Sequence, residues 1–207
     1  MKFKVGGFEL SGILEKPITD SNVVILVLHP HPLHGGDMYN PVVGTLVDVF
    51  LDAGFATFRF DFRGTTSRSD FAGVSGAVDD TIAAVKMLES LDIHLAGIAG
   101  YSFGGSTALR YSSANKAKFV ISVSSSLDLY QEGNFPLNQL SGIKCPVLML
   151  HGVSDLTAPH ENMIGISSQI HGDVKCISIE NEGHFYHQSL DKVRDEVKLF
   201  MNNLQYV

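Results

Sequence analysis

The sequence predicts an α/β fold with a mostly parallel central sheet and helices on both faces. Six apolar segments, several of them near-continuous runs of Val, Ile and Leu, are typical of parallel strands buried on both faces. These segments span 22–30, 56–64, 95–102, 118–126, 146–152 and 174–181. Helical patterns separate them, and this alternation favours a parallel sheet that binds ligands at the carboxyl ends of its strands.

The helices are predicted from apolar residues spaced three and four apart. This spacing is clearest in 78–90 and 191–204, where it places the apolar residues on one face. Three further segments are also predicted to be helical: 40–53, 104–114 and 158–170. The opening residues 2–16, which turn at Gly6 and Gly7, predict an antiparallel hairpin.

The 207 residues predict a single domain over 1–207. A chain of this length buries roughly 70% of the surface that its unfolded form exposes, so its core needs neither disulfides nor a metal. The irregular segment 127–143 leaves room for a small flap. It is too short for a separate lid domain, and none is expected.

Charge and composition limit which binding partners and which cellular location we expect for the protein. A net charge of −7 without a Lys/Arg cluster argues against nucleic acid and anionic membranes as partners. No apolar run approaches the ~20 residues of a membrane span, and polar residues interrupt the N-terminal segment where a signal peptide would be apolar. Cys145 and Cys176 lie in short apolar runs and are expected to be buried free thiols. We expect a cytoplasmic monomer or homodimer acting on a small molecule.

One serine lies at a glycine-rich corner. In "LAGIAGYSFGGSTALRY", Ser102 stands between Gly100 and Gly104, after an apolar strand and before a predicted helix. This context favours a nucleophile elbow, in which a strained turn exposes the hydroxyl above the sheet. The N–H of Phe103, at the start of the helix, is then positioned to stabilise an oxyanion. The alternative is a strand-to-helix turn that simply requires small residues.

A nucleophilic serine needs a base and an acid that orients it. After an elbow the acid precedes the histidine along the chain, and each follows a strand. "PVLMLHGVSDLTAP" supplies Asp155 and "ISIENEGHFYH" supplies His184 in that order. Alternatively, Asp155 caps a helix and His184 is an exposed loop residue. Asp128 is the reserve candidate for the acid and His187 for the base.

Three histidines in "VLHPHPLHGGDMYN" suggest a metal cluster as a rival hypothesis: His29, His31 and His34. A catalytic zinc site needs three properly directed ligands, and no further Asp, Glu or His nearby has a suitable spacing. We therefore expect neither a metal nor another cofactor.

The same loop can instead donate a second N–H to the oxyanion, as the loop after this strand does in elbow hydrolases. Pro30 and Pro32 have no N–H and are excluded. His31 and Leu33 remain, and Leu33 is the favoured donor. The flanking prolines would stiffen the loop and hold the amide ready.

The motifs together resemble the α/β-hydrolase fold, and within it the dienelactone-hydrolase-like branch. The chain is most similar to short α/β-superfamily hydrolases that open with an HPHP loop. The matching pieces lie in the family's order between residues 29 and 187: "HPHPLHGGDMYN", "FRFDFRGTTSRS", "GYSFGG", "HGVSD" and "EGHFYH". The chain departs from the pattern in the arginine-glycine loop, which continues "RGTTSRSD" instead of with glycine and serine.

The resemblance implies a lidless fold with a catalytic triad of Ser102, His184 and Asp155. It also implies an oxyanion hole formed by Phe103 and the loop 31–33. Dienelactone hydrolases use cysteine as the nucleophile, so the serine at this position argues against their substrate.

The predicted activity is that of a carboxylesterase-like serine hydrolase acting on small or medium acyl esters or thioesters through an acyl-enzyme. A peptidase or amidase on the same triad is one alternative. A non-catalytic scaffold that retains the fold is another.

Two sets of side chains near the predicted site have open roles. Four aromatic residues are expected either to line an acyl pocket or to pack in the core: Phe62, Phe103, Phe185 and Tyr186. Arg59 and Arg63 bind a substrate carboxylate or form structural ion pairs with Asp61 or Asp79.

Overall fold

Eight strands form one sheet in the computed structural model of the protein, which describes residues 1–204. The strands are β1 (Lys2–Val5), β2 (Phe8–Glu15), β3 (Val23–Leu28), β4 (Ala56–Phe60), β5 (His94–Tyr101), β6 (Phe119–Val123), β7 (Val147–Gly152) and β8 (Val174–Ile179). Their order is β1-β2-β4-β3-β5-β6-β7-β8. The first two strands form the antiparallel hairpin, and β3 to β8 are parallel to one another. The predicted fold class is confirmed.

Within residues 1–204, six α-helices lie between or after the strands: α1 (Pro41–Asp52), α2 (Gly73–Glu89), α3 (Phe103–Ala114), α4 (Asp128–Glu132), α5 (Glu161–Ser167) and α6 (Leu190–Asn203). Short 3-10 helices occur at Pro32–His34, Arg68–Asp70 and Leu137–Gly142. Within the described residues, none of the helices has the length and apolar character needed to cross a bilayer.

The core consists of two apolar layers, one on each face of the sheet. Along β3, Val24 and Leu26 belong to the core layer that also contains apolar side chains of α2, α3 and α5. Ile25 and Val27 point the other way and pack with α1 and α6. This alternation follows from the two-residue period of a strand, and it requires apolar residues on both faces. Helices therefore cover both faces, as the sequence predicts.

The segment 127–143 packs against helix α3. Tyr130 and Leu140 are fully buried within it, and the Tyr130 hydroxyl donates to the Ser106 carbonyl oxygen at 3.3 Å. The short helix α4 in this segment was not predicted, because five residues are too few to show a helical period.

The expectation that both cysteines are buried is wrong. Cys176 is exposed and Cys145 is half-buried, and both are free. Cys176 lies in β8, the last strand of the sheet, where side chains on the uncovered face reach solvent. An apolar sequence run alone does not distinguish an edge strand from a central one.

Candidate active site

Ser102 lies at a strained turn between β5 and α3. Its backbone has φ 55° and ψ −115°, in a region that costs a residue other than glycine about 1–3 kcal/mol. The turn is held by hydrogen bonds from the Ser102 N–H to the Val123 carbonyl (2.7 Å) and from the Ser106 N–H to the Ser102 carbonyl (3.0 Å). The corner thus has the backbone conformation expected of a nucleophile elbow.

The glycines around this serine are required by close backbone packing. A Cβ atom on Gly104 would overlap the carbonyl groups of Leu28 and His29 at the end of β3. A Cβ atom on Gly100 would overlap the carbonyl group of Gly104 itself. The turn therefore approaches its neighbours more closely than any side chain permits.

The structure joins the three predicted residues in one hydrogen-bonded chain. His184 Nε2 lies 2.9 Å from Ser102 Oγ, and His184 Nδ1 lies 2.7 Å from Asp155 Oδ2. Because an ionised carboxylate only accepts hydrogen bonds, Nδ1 carries the proton and Nε2 accepts from the serine hydroxyl. The reserve candidates Asp128 and His187 are exposed and, within residues 1–204, make no hydrogen bond to this group.

The Asp155 carboxylate accepts hydrogen bonds both from its own turn and from His184. One oxygen accepts from the N–H groups of Thr157 (2.9 Å) and Ala158 (2.8 Å), while the other faces His184. Burial raises the pKa of this carboxyl, but hydrogen bonds from His151, His184 and Ala158 outweigh it and hold the pKa well below its usual range. The carboxylate is therefore charged at neutral pH.

A second histidine, which sequence reasoning missed, supports the Asp155 loop. His151 Nε2 lies 2.7 Å from the Ala158 carbonyl oxygen and 3.4 Å from Asp155 Oδ2. Both partners are acceptors, so Nε2 carries the proton. The signal in the sequence is the histidine four residues before Asp155 in "HGVSD".

The His184 loop is held by two further residues that sequence reasoning missed. The Tyr101 hydroxyl donates to the His184 carbonyl oxygen at 2.6 Å. The buried Glu182 carboxylate accepts from the N–H groups of Gly183 (3.0 Å) and Gln188 (3.1 Å). Their sequence signal is position alone, since Tyr101 precedes the candidate nucleophile and Glu182 lies two residues before the candidate base.

Two backbone N–H groups border the site as candidates for an oxyanion hole. Phe103 opens helix α3, where the first N–H groups have no partner within the helix. The N–H of Leu33, the favoured second donor, is already used, because it donates to His31 Nδ1 at 3.2 Å. His31 borders the cavity above Ser102, and within residues 1–204 its own N–H has no acceptor. The geometry thus favours His31 over Leu33.

A cavity of about 310 Å³ opens above Ser102. Its walls are formed by the following residues: Pro30, His31, His34, Gly35, Gly36, Asn40, Tyr101, Thr157, His184 and Phe185. Within the described residues, no Lys, Arg, Asp or Glu borders it. Of the four aromatic residues considered above, only Phe185 lies in its wall, at 64% exposure, and the other three are buried in the core.

The two arginines considered as carboxylate ligands are engaged elsewhere. Arg59 pairs with Glu15 at 2.9 Å. Arg63 pairs with Asp80 at 2.6 Å and approaches Asp79 only to 3.9 Å. Both side chains therefore have structural roles, although the main partner of each differs from those expected.

The histidines of the HPHP loop have contacts other than metal coordination. His29 is fully buried, with Nδ1 at 2.6 Å from the Pro30 carbonyl and Nε2 accepting from the Phe62 N–H at 3.0 Å. Burial lowers the pKa of His29 to about 4, so the ring is neutral. In the described part of the chain, no group of three His, Cys, Asp or Glu side chains could hold a metal ion.

Comparison with known proteins identifies the family. The model of the dienelactone hydrolase family matches residues 61–196. The chain belongs to the dienelactone hydrolase family. The chain is also 34% identical over 104 residues to an uncharacterized protein of Rickettsia prowazekii, a match that covers 49% of this chain and 44% of that protein. The chain thus spans less than half the length of this relative.

Solved structures share the fold along nearly the whole chain. An α/β serine hydrolase homologue from Coxiella burnetii is 27% identical, with a TM-score of 0.84 over 99% of this chain and 96% of that chain. A lidless α/β serine hydrolase from Xanthomonas campestris is 22% identical, with a TM-score of 0.85 over 100% of this chain and 94% of that chain. The resemblance to a small lidless α/β hydrolase is confirmed.

Proposed function

We propose that this hydrolase is a serine esterase that cleaves esters or thioesters of small or medium acyl groups through an acyl-enzyme on Ser102. The observation that carries the proposal is the hydrogen-bonded chain from Ser102 through His184 to Asp155. Its serine end lies on a strained turn at the floor of a cavity that, within the described residues, no Lys, Arg, Asp or Glu borders. Nucleophile, base and orienting acid are the parts that acyl transfer requires.

In the first step, Ser102 Oγ attacks the carbonyl carbon of the substrate. His184 Nε2, 2.9 Å away, takes the hydroxyl proton as the new bond forms. The ring then carries a positive charge, which the buried Asp155 carboxylate stabilises at 2.7 Å. Asp155 also keeps the second ring nitrogen protonated, so that Nε2 is free to act as the base.

The carbonyl oxygen becomes negatively charged in this step. We assign its stabilisation to the backbone N–H groups of Phe103 and His31. Loss of one such donor typically reduces the rate by about 10²–10³-fold. Pro30 and Pro32 flank the His31 amide, so the loop is rigid before the substrate arrives.

The acyl-enzyme forms when His184 returns the proton to the departing alcohol or thiol. Water then enters, gives its proton to His184 and attacks the acyl carbon. The second intermediate collapses, Ser102 regains its proton, and the carboxylic acid product leaves. One histidine thus acts as base and as acid in both halves of the reaction.

The cavity favours an uncharged substrate. No Lys, Arg, Asp or Glu of the described residues borders it, and Arg59 and Arg63 are engaged in ion pairs elsewhere. A carboxylate held within this lining would lose its hydration without a Lys or Arg side chain among the wall residues to pair with, which is costly. A volume of about 310 Å³ suits a compact ester.

Hydrolysis of matched substrates by the Ser102→Ala variant tests the proposal. We expect the wild-type protein to cleave 4-nitrophenyl acetate and butyrate and the corresponding thioesters faster than the 4-nitroanilides. The variant should lose at least about 10³-fold in kcat/KM. His94→Asn, which changes an exposed histidine at the start of β5, is the control and should retain activity. Full activity of Ser102→Ala would overturn the proposal, and faster anilide cleavage would indicate an amidase.

A further inference from the structure

We propose that the imidazole of His31 determines substrate specificity at this site by donating its Nε2–H to an uncharged acceptor oxygen near the scissile carbonyl. Esters that carry an ether, keto or hydroxyl oxygen beside the reacting group are then preferred over their hydrocarbon counterparts. This inference rests on the proposed esterase function and adds the class of ester that the site selects.

The tautomer of His31 follows from a single hydrogen bond. The Leu33 N–H donates to His31 Nδ1 at 3.2 Å, so Nδ1 is unprotonated and accepts. Burial lowers the pKa of His31 to about 4, with the neighbouring His34 and Arg68 acting in the same direction. The ring is therefore neutral at pH 7, and its single proton lies on Nε2.

The Nε2–H of His31 is free to bind a ligand. Within residues 1–204, no acceptor forms a hydrogen bond with it. Every solvent-inaccessible side-chain N or O atom without a hydrogen-bond partner is accounted for elsewhere in the described residues, and His31 Nε2 is not among them. Because this atom has no partner, it is therefore accessible to solvent. His31 borders the same cavity as Ser102 and His184. A substrate held at the serine is therefore within reach of this ring.

Aromatic neighbours fix the plane of the His31 ring. Its centroid lies 4.9 Å from those of Phe71 and Phe103 and 4.7 Å from that of His34. Phe103 directly follows the nucleophile in sequence, so the packed ring is coupled to the reaction centre. A donor that is held in place before binding loses little entropy on binding, which makes it effective in discrimination.

Asn40 provides a second donor in the same cavity wall. Its side-chain oxygen accepts from the Val42 N–H at 2.9 Å as the cap of helix α1, so the amide nitrogen is the end that remains available. This wall thus offers uncharged donors and no carboxylate. A hydrocarbon chain placed against it would leave donors without partners, whereas an ester with an additional oxygen would satisfy them.

Pairs of esters that differ by one oxygen test the proposal. On the acyl side, 4-nitrophenyl methoxyacetate is compared with 4-nitrophenyl butyrate; on the alcohol side, 2-methoxyethyl acetate is compared with butyl acetate. The oxygen preference is the ratio of kcat/KM values within a pair. Dividing the wild-type ratio by the ratio of a variant cancels the intrinsic reactivity of the esters.

Two substitutions distinguish the Nε2–H donor of His31 from the hydrogen bond that its Nδ1 accepts from the Leu33 N–H. In His31→Asn, the side-chain oxygen can still accept from the Leu33 N–H, but no group remains at the Nε2 position. In His31→Gln, the longer amide reaches the Nε2 position as a donor and gives up the Leu33 contact. His94→Asn, an exposed histidine outside the cavity, is the control.

The expected result is that His31→Asn lowers the oxygen preference of at least one pair about tenfold. His31→Gln and His94→Asn should keep most of that preference. Unchanged ratios in His31→Asn would overturn the inference, as would equal losses in both His31 variants. Slowing of all esters by the same factor, with unchanged ratios, would likewise overturn it, because the ring would then act only through the oxyanion loop. An inactive wild-type protein, or an active Ser102→Ala variant, would instead refute the proposed function.

Discussion

At the scale of single residues, the site depends on one carboxylate with two tasks. One oxygen of Asp155 closes the turn that follows β7, and the other fixes the proton on His184 Nδ1. The local turn therefore positions the proposed acid, and that carboxylate positions the proposed base. A side chain that accepted only the hydrogen bonds of the turn would preserve the fold, but it would not fix the proton of His184.

This division of tasks predicts that Asp155→Asn lowers activity far more than it lowers the free energy of unfolding. The asparagine oxygen can still accept from the N–H groups of Thr157 and Ala158. The side-chain NH₂ group then faces the Nδ1–H of His184, so that two hydrogen-bond donors oppose each other. The ring is no longer held in the productive tautomer, and kcat should fall about 10³–10⁴-fold. Steady-state rates with 4-nitrophenyl butyrate and a thermal melt check both parts. A loss of less than about tenfold would show that Asp155 does not orient the base.

Sequence reasoning located residues whose roles follow from chain order, and it missed those whose roles depend on tertiary contacts. Ser102, Asp155 and His184 each follow a strand in the order typical of elbow hydrolases, so motifs suffice to find them. The contact between Tyr101 and His184 joins residues 83 positions apart, and no local pattern encodes it. The choice between His31 and Leu33 was equally inaccessible, because it depends on which N–H the histidine side chain accepts.

At the scale of elements, the turn from β5 into α3 requires glycine for steric reasons. Gly104→Ala would push a methyl group into the backbone of β3 and should lower the free energy of unfolding by about 1–3 kcal/mol or more. Gly44→Ala is the matched control, since Gly44 lies within helix α1 and its Cβ would meet open space. There alanine should stabilise the protein by about 0.5–1 kcal/mol. Urea unfolding of both variants measures the contrast; equal effects would contradict the proposed close approach.

Buried parallel strands were predictable as elements, whereas short or edge elements were not. β3 and β6 are apolar on both faces and could be identified from composition. Helix α4 has only five residues, and its packing against α2 and α3 depends on contacts distant in the chain. Cys176 was misjudged because its exposure depends on the position of β8 at the sheet edge.

At the scale of the whole molecule, sheet topology assembles the site. Ser102 follows β5, Asp155 follows β7 and His184 follows β8. These strands are parallel and lie in the same half of the sheet, so their carboxyl ends meet at one edge. Residues up to 82 positions apart become hydrogen-bond partners through strand order alone.

The buried His29 links whole-molecule stability to pH. Its pKa is about 4 in the folded protein and ordinarily about 6.5 when unfolded. Between these values the unfolded chain binds more protons, so stability is fully present above pH 6.5 and falls as the pH drops towards 4. The loss amounts to about 3 kcal/mol.

The variant His29→Gln isolates this contribution, because glutamine can accept from the Phe62 N–H and does not titrate. We expect the wild-type free energy of unfolding to fall more steeply than that of the variant between pH 6.5 and 4, with the other titrating groups cancelling in the comparison. Urea titrations at several pH values provide the measurement. Parallel curves for the two proteins would show that His29 is not held neutral by the fold.

The central claim is that Ser102 is an activated nucleophile, and its reaction with a fluorophosphonate tests this most directly. The purified protein and its Ser102→Ala variant are treated with the probe, and the modified peptide is located by mass spectrometry. We predict one covalent adduct on Ser102 in the wild-type protein and none in the variant, with the Asp155→Asn protein labelled much more slowly. Equal labelling of wild type and Ser102→Ala, or no labelling of either, would contradict the claim.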